Sequence, residues 1–289
     1  MKVRASIKYA LAAFVVFAVA APMAAFADDD DDRKTSYRER HLRVLYAVDD
    51  GGKLLRFRAS SPGSVSGEGI TGLPAGVKLS GIDFRPATGD LYAVGSDRVV
   101  YRVNTNTAIA VAEGPTFDTN PPTALTGTSV GFDFNPTVDK IRLTSNADEN
   151  LRLNPDEGNV LAVDTKLTPA SVTVVGSAYT NSSFVAFPGR PAATTLYDVD
   201  IASSPDTLWT QSPANAGTLI NPKTLGFDLG SSLGFDIVAA DNVGYVAGTP
   251  QGGGGARLYR VDVTTGETRD LGRISGGAVT VVGLAAWQD

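Results

Sequence analysis

The chain has 289 residues, with no Cys, one His and a formal net charge of −6 at neutral pH. Without Cys it can form no disulfide, thiolate nucleophile or Cys-ligated metal site, and a Ser-His-Asp triad would have to use His41. The acidic charge balance argues against a protein that binds the phosphate backbone of nucleic acids.

The first 27 residues have the three parts of a secretory signal peptide. Three basic residues come first, and residues 9–21 form an apolar run that is shorter than the ~20 residues needed to span a bilayer. An Ala-x-Ala cleavage motif ends at Ala27. We therefore expect cleavage before Asp28 and export to the periplasm or beyond, with no membrane span afterwards. An uncleaved anchor is the alternative.

Residues 28–40 form a charged segment that begins with five Asp. It has too few apolar side chains to bury a face, so we expect a disordered linker. The Asp run could also bind Ca²⁺, but a flexible run of carboxylates is an unspecific site, and a solvated tail is the preferred interpretation. We place a single folded domain at residues 41–289.

Three short sequence words recur through this domain, in units that start 46 to 55 residues apart. The first word has the form Gly-φ-Asp-φ, where φ is apolar, and occurs at residues 81–84, 131–134 and 234–237. The second follows ten residues later at 91–94, 141–144 and 244–247, with related copies at 45–48 and 196–199. The third reads apolar-Arg-apolar around Arg56, Arg102, Arg152 and Arg260.

The words are typical of β-strands, because they are short, rich in Val, Tyr, Phe and Leu, and bounded by turn residues. One unit of about four strands every 40 to 50 residues is typical of a β-propeller. In each unit the Gly-φ-Asp-φ word predicts the innermost strand, followed by the second word, the Arg word and an outer strand such as residues 108–112 or 172–176. The prediction is an all-β propeller of about five four-stranded blades.

Ring closure is predicted from the two ends of the domain. The domain starts with a second strand at residues 43–48 and ends with a first strand at 279–287. Pairing these two strands would complete one blade and remove the exposed edges of an open sheet. A β-sandwich is the structural alternative.

The unit around residues 196–199 fits the pattern least well. Residues 183–186 are the weak copy that we assign to its inner strand, and Trp209-Thr210 stands in place of the Arg word. Residues 226–229 are interpreted as a loop or an outer strand. If they formed a separate inner strand, the propeller would have six blades.

At these words the chain resembles an uncharacterised family of exported, mostly bacterial proteins, the domain-of-unknown-function family 4394 (DUF4394). The stretches that carry the resemblance are residues 135–142, 150–156, 178–181, 195–200 and 213–219. The resemblance covers roughly residues 42–287 and implies a propeller-like fold and export. It implies no activity and no functional residues.

Asp83, Asp133 and Asp236 recur at one position in three units. One interpretation is a carboxylate ring near the central channel that binds Ca²⁺ through oxygen ligands. The preferred interpretation is structural, with each Asp accepting hydrogen bonds from amides beside its own strand, because repetition favours architecture over chemistry. The equivalent positions in the other two units are assigned to Val185 and Ala285, so the ring would be broken.

The Arg residues of the third word could form an anion-binding surface. The preferred interpretation places them on the solvated faces of the middle strands, paired with the abundant Asp. Residues 146–150 are rich in oxygen ligands but lack the spacing of an EF-hand, so they are interpreted as a polar turn.

The remaining candidate residues carry weaker signals. Residues 252–255 are four Gly that lack the helix and Lys of a phosphate-binding loop, so a hairpin tip is expected. Trp209 and Trp287 could stack on sugar rings, but their place in strand words favours packing within blades. His41 lies outside the repeats, so we expect no catalytic role for it.

The function predicted from these observations is a non-enzymatic, monomeric binding module for a protein, glycan or small ligand, without a cofactor. Loops concentrated at the ends of a rigid ring suit such a role. The alternative is a Ca²⁺-dependent hydrolase or lactonase built on a propeller, which needs several acidic or amide ligands at the channel mouth. No Glu lies in a predicted inner strand, which counts against this alternative while leaving an Asp/Asn site open.

Overall fold

A computed structural model describes residues 43–117, 125–184 and 189–288. The predicted signal peptide, the charged linker and His41 lie outside these residues. The described part of the chain forms twenty strands in five four-stranded antiparallel sheets, arranged as the blades of a ring. The five-bladed propeller prediction is therefore confirmed, and the six-bladed and sandwich alternatives are not realised.

Each blade runs from an inner to an outer strand. Blade 1 consists of β20 (Val281–Ala286), β1 (Val44–Asp49), β2 (Lys53–Arg58) and β3 (Ser61–Gly69). Blade 2 consists of β4 (Leu79–Phe84), β5 (Leu91–Gly95), β6 (Val100–Val103) and β7 (Ala110–Ala112). Blade 3 consists of β8 (Val130–Asn135), β9 (Lys140–Ser145), β10 (Asn150–Leu153) and β11 (Val160–Val163). Blade 4 consists of β12 (Val174–Tyr179), β13 (Leu196–Asp200), β14 (Thr207–Gln211) and β15 (Leu219–Thr224). Blade 5 consists of β16 (Leu229–Val238), β17 (Val243–Pro250), β18 (Arg257–Asp262) and β19 (Thr268–Arg273).

The described residues contain two complete 3-10 turns, at Ala214–Ala216 and Ile274–Gly277. No helix in the described part of the chain has the length and apolar character needed to cross a membrane.

The ring closes by pairing the first and last strands of the domain. β20 lies antiparallel to β1, with Ala286 opposite Leu45 and Ala285 opposite Tyr46. Blade 1 is therefore built from both ends of the sequence, as predicted.

Glycine allows the inner strands to approach one another. In blades 2, 3 and 5 the Gly of the first word faces the next blade around the ring. A Cβ on Gly234 would overlap the main-chain nitrogen of Leu284, and one on Gly131 would lie 2.5 Å from the nitrogen of Ser177. Only Gly permits backbones to pack this closely, so the centre of the ring is narrow.

The strand assignment around blade 4 is wrong in two places. Residues 172–176 do not form an outer strand, because β12 (Val174–Tyr179) is the inner strand of blade 4 and pairs with β13. Residues 183–186 are therefore not the inner strand; Val185 and Ala186 lie outside the described residues. The error arose because the first word was assumed to precede the second by a fixed number of residues. In blade 4 a long loop separates β12 from β13, so this spacing does not apply.

Residues 226–228 form a loop, which was one of the two interpretations of residues 226–229, whereas Leu229 already belongs to an inner strand. The outer strand of blade 4 is β15, which ends at Thr224, and β16 begins at Leu229 as the inner strand of blade 5. No additional inner strand forms here.

The described residues of the β12–β13 loop, 180–184 and 189–195, contact the four other blades. Its Phe184 packs edge-on against Trp287 after β20, with ring centroids 4.7 Å apart, and against Phe84 of β4 at 6.0 Å. Its polar contacts with other blades include two hydrogen bonds: Asn181 N–H donates to Asn242 Oδ1 at 3.1 Å, and Arg190 Nη2 donates to Asp139 Oδ2 at 3.0 Å. All these partners lie where inner strands end, so the loop ties one end of the ring together.

The interfaces between blades are mostly apolar, with one exception. Large clusters of buried apolar side chains join blades 5 and 1, blades 1 and 2, blades 2 and 3, and blades 4 and 5. Between blades 3 and 4 the apolar cluster is small, with Leu167, Val172, Val174 and Leu219 at its centre. Polar side chains fill the rest of this interface.

Candidate functional site

Three buried carboxylates meet at the centre of the ring. Asp83 of β4, Asp133 of β8 and Asp236 of β16 are each at most 2% exposed. One carboxylate oxygen from each lies within 4.8 Å of the others. The structure therefore brings together the three Asp that the sequence singled out.

Each of these Asp accepts a hydrogen bond from the main chain of the next blade. Asp83 Oδ2 accepts the N–H of Phe134 at 2.7 Å. Asp133 Oδ1 accepts the N–H of Tyr179 at 3.1 Å, and Asp236 Oδ2 accepts the N–H of Ala286 at 2.5 Å. The carboxylates thus connect blade 2 to 3, blade 3 to 4, and blade 5 to 1.

The same position is occupied by Ala in the two remaining blades. Ala178 lies opposite Tyr197 and Ala285 opposite Tyr46, as Asp83 lies opposite Tyr92. The assignment of Val185 as an equivalent is wrong, because the inner strand of blade 4 is β12. The ring of carboxylates is interrupted at Ala178 and Ala285, of which only Ala285 was predicted.

Burial raises the pKa of all three carboxyl groups. The pKa of Asp236 rises to about 7, opposed by its hydrogen bonds from Ala286 and Ile237. For Asp83 and Asp133 burial is the main cause, and negative charge on the neighbouring carboxylates raises the pKa further. Three like charges this close favour a bound proton or cation.

The arrangement can hold a hard cation but gives a substrate little room. Three carboxylate oxygens within 4.8 Å of one another could ligate a single Ca²⁺ ion, whose Ca–O distances are about 2.4 Å. However, the carboxylates are almost fully buried and their oxygens already accept main-chain N–H groups. These hydrogen bonds support the structural interpretation, which remains our proposal.

The Arg residues of the third word lie on third strands, as predicted, but their partners differ. Arg102 Nε lies 2.8 Å from Glu113, and Arg152 Nε lies 2.8 Å from Asp164. Arg56 Nε donates to Tyr46 Oη at 3.2 Å instead.

A second polar cluster, which the sequence analysis missed, centres on Arg142 between blades 3 and 4. Arg142 is 2% exposed. Its guanidinium donates to Asn150 Oδ1 at 2.6 Å, Asp164 Oδ2 at 2.7 Å and Asn215 Oδ1 at 2.7 Å, and more weakly to Tyr179 Oη at 3.4 Å. Because Asn215 is exposed, the cluster reaches from the interior to the surface. We call Arg142, Asn150, Asp164, Tyr179 and Asn215 the Arg142 cluster.

The Arg142 cluster also holds the loop before β15. Asn150 Nδ2 donates to the carbonyls of Thr165 and Ala214, both at 3.0 Å. Gln211 Nε2 donates to the Ala214 carbonyl at 2.6 Å, whereas Gln211 Oε1 is buried with no hydrogen-bond partner. Side chains from both blades therefore position the 3-10 turn that carries Asn215.

A chain of hydroxyl groups lies in the same interface. Thr144 Oγ1 and Ser177 Oγ are 2.6 Å apart, and Ser177 donates to Asp198 Oδ1 at 2.5 Å. Asp198 is fully buried, its other oxygen has no hydrogen-bond partner, and burial raises its pKa to about 7. Burial of a carboxylate with an unpaired oxygen is energetically costly, so Asp198 distinguishes this interface from the apolar ones.

Departure from the repeat is the sequence signal that could have revealed this interface. Arg142 occupies the position that holds Tyr46, Tyr92, Tyr197 and Tyr245 in the other blades. All five stretches that carry the family resemblance contribute a residue to the interface. Positions that break a local rule inside a regular fold are where functional sites are expected.

The remaining candidate residues have structural contacts. Glu149 accepts the N–H groups of Thr126 and Gly127, which makes residues 146–150 a polar turn joined to the loop before β8. Trp209 Nε1 donates to Asp200 at 3.0 Å, and Trp287 packs against Phe84. Residues 252–255 form part of the β17–β18 turn.

Comparisons with known proteins show the family. The sequence profile of the family described as "Domain of unknown function (DUF4394)" matches residues 53–285, so the chain belongs to this family. No curated protein matches the sequence.

Similar solved structures include several propellers. A protein of unknown function from Bacteroides thetaiotaomicron VPI-5482 is 13% identical, with a TM-score of 0.47 over 80% of this chain and 57% of that one. The Dos1 propeller is 12% identical, with a TM-score of 0.41 over 78% of this chain and 56% of that one. The WD40 propeller domain of Doa1 is also 12% identical, with a TM-score of 0.41 over 82% and 67% of the two chains. The chain thus spans little more than half of the first two proteins.

Proposed function

We propose that this member of the DUF4394 family is an exported, non-enzymatic binding module for a protein, glycan or small ligand, and that the ligand binds at the exposed end of the Arg142 cluster. Export is proposed from the sequence of residues 1–27. The ligand would contact Asn215 and the neighbouring exposed residues Thr165 and Lys166.

One observation carries this proposal: Arg142 replaces the repeated Tyr and gathers unlike polar residues from several segments of blades 3 and 4. Asn150 begins β10, Asp164 follows β11, and Asn215 lies in the turn before β15. Rigid strands hold the buried end of the cluster, and a turn presents its exposed end. A scaffold that fixes polar groups at a surface is suited to recognition.

The Ca²⁺-dependent hydrolase remains the second candidate, because three carboxylates lie close enough to bind one cation. Such an enzyme needs a ligand position open to substrate. The burial of Asp83, Asp133 and Asp236, and their hydrogen bonds to main-chain N–H groups, favour binding without chemistry.

The proposal is tested by screening the mature protein against glycans, small polar metabolites and extracytoplasmic proteins, with each hit measured by calorimetry. Asn215→Ala and Lys166→Ala should weaken the binding of a genuine ligand. Asn106→Ala is a matched control, because Asn106 is exposed in the β6–β7 turn of blade 2. Hits that bind Asn215→Ala and Lys166→Ala as tightly as the wild type would overturn the proposed site.

A further inference from the structure

Blade 1 carries a groove that the Arg142 cluster does not include. The groove has a volume of about 520 Å³. Its walls are formed by Val44, Arg56, Phe57, Arg58, Ser61, Ser64, Val65 and Ser66. Two Arg and three Ser residues therefore border one space together with Val44 and Val65, and no carboxylate residue is in its lining. Phe57 reaches the groove only at its edge, because its side chain is buried in the core.

Neither Arg of the groove is neutralised by the described residues. Arg56 Nε donates to Tyr46 Oη at 3.2 Å, and its guanidinium lies 6.0 Å from the ring of Tyr46. Among the described residues, neither Arg56 nor Arg58 lies within 4.0 Å of a carboxylate oxygen. The two residues are two positions apart on β2, so their side chains leave the same face about 7 Å apart.

The equivalent Arg residues in blades 2 and 3 are neutralised. Arg102 is paired with Glu113, and Arg152 with Asp164. In both blades the Arg pairs with one residue of the outer strand. The carboxylate belongs to the residue two positions further along the chain. Blade 1 has Glu68 at that position, but Glu68 is exposed and does not line the groove.

A large bulge in β3 shapes the groove. Arg56 pairs with Ser66, and Arg58 pairs with Ser61. An advance of two residues along β2 therefore corresponds to five residues along β3. The outer strands of blades 3, 4 and 5 have only one extra residue at their irregularities. The extra length in blade 1 places Ser64 and Val65 on the groove. Bulges commonly redirect side chains at functional positions.

We propose that this groove binds a tetrahedral oxyanion, a phosphate or sulfate group, carried by a small organic molecule. Arg56 and Arg58 would form charge-assisted hydrogen bonds to the anionic oxygens, and the hydroxyls of Ser61 and Ser64 would donate to the remaining ones. The Ser66 hydroxyl already donates to the carbonyl of Arg56 at 3.2 Å. Val44 and Val65 would contact the apolar part of the ligand. The site is independent of the Arg142 cluster, so either assignment can fail without the other.

The proposal is tested by NMR titration of the full protein, following the amide resonances of residues 61–66. The probes are inorganic phosphate and phenyl phosphate, with benzyl alcohol as the uncharged control, all at constant ionic strength. Both phosphates should shift these amides, with phenyl phosphate binding more tightly because of the apolar wall. Equal affinity of the two phosphates would overturn the organic part of the proposal and identify the free oxyanion as the ligand. Benzyl alcohol should not shift these resonances.

Matched variants distinguish binding in the groove from nonspecific electrostatic attraction. The double variant Arg56→Gln/Arg58→Gln should weaken phenyl phosphate binding about tenfold or more, whereas Arg102→Gln should leave it unchanged. Ser64→Glu should weaken binding by repulsion while both Arg remain, which covers the case of a double variant that does not fold. Absence of shifts at millimolar phosphate, or equal binding to the wild type and Ser64→Glu, would overturn the proposal.

Discussion

The carboxylate of Asp83 in blade 2 accepts the main-chain N–H of Phe134 in blade 3, at 2.7 Å. Its other oxygen accepts the N–H of Phe84 in its own blade, also at 2.7 Å. One side chain thus joins two inner strands that share no ladder of hydrogen bonds. This relationship gives the repeated Asp a mechanical role in the ring.

Removing this carboxylate should destabilise the fold. Asp83→Ala leaves the buried N–H groups of Phe84 and Phe134 without their acceptor, and each such loss costs about 1–3 kcal/mol. We expect a lower free energy of unfolding in urea at pH 5, where repulsion among the carboxylates is small. Val138→Ala, at an exposed position, is the control and should change little. Unchanged stability of Asp83→Ala would contradict the connecting role.

The carboxylate cluster should make stability depend on pH. Burial raises the folded-state pKa of Asp236 to about 7, whereas an unfolded Asp titrates near 3.9. The folded state therefore holds this proton more tightly, and the stabilisation is complete below about pH 4 and lost as pH rises to about 7. In urea titrations from pH 4 to 8, Asp236→Asn should lose less stability than the wild type, by a few kcal/mol. Parallel pH profiles for the two proteins would refute this.

Calcium should distinguish a structural cluster from a metal centre. If Asp83, Asp133 and Asp236 serve as connections between blades, then neither EDTA nor millimolar Ca²⁺ should shift the melting temperature at pH 7. A specific site would raise the midpoint with increasing Ca²⁺ by mass action, and Asp133→Asn would abolish that rise. Such a rise in the melting temperature would support the alternative of a Ca²⁺-dependent hydrolase.

The β12–β13 loop should open when its aromatic contact is removed. Phe184→Ala eliminates edge-on contacts with Phe84 and Trp287, each worth about 0.5–1.5 kcal/mol beyond simple burial. We expect faster amide hydrogen exchange at residues 181–184 and a modest loss of global stability. If exchange in these residues is the same as in the wild type, Phe184 does not hold the loop.

The spacing of sequence words was sufficient to predict most of the architecture. Turns between first and second strands are short in blades 2, 3 and 5, so a fixed interval located β4, β8 and β16. The interval failed in blade 4, because the β12–β13 loop is long and because Ser177 and Ala178 replace the φ-Asp pair of the first word. Local patterns cannot reveal loop length when the strand itself lacks the repeated residues.

The Arg142 cluster was only partly visible in the sequence. Arg142 stands where other blades have Tyr, which marks the position as exceptional. Its acceptors Asn150 and Asn215 lie in or beside turns, where Asn is common for local reasons. Their meeting depends on how blade 4 packs against blade 3, and that packing is not encoded in the spacing of the words.

The central claim, binding without chemistry at the Arg142 cluster, is tested most directly by NMR mapping of a ligand obtained from the screen, with mass spectrometry of the recovered ligand. We predict that shifts will concentrate at Thr165, Lys166 and Asn215, that Asn215→Ala will weaken binding, and that the ligand will be recovered unchanged. Shifts confined to residues around Asp83, Asp133 and Asp236, or recovery of a hydrolysed ligand, would contradict the claim.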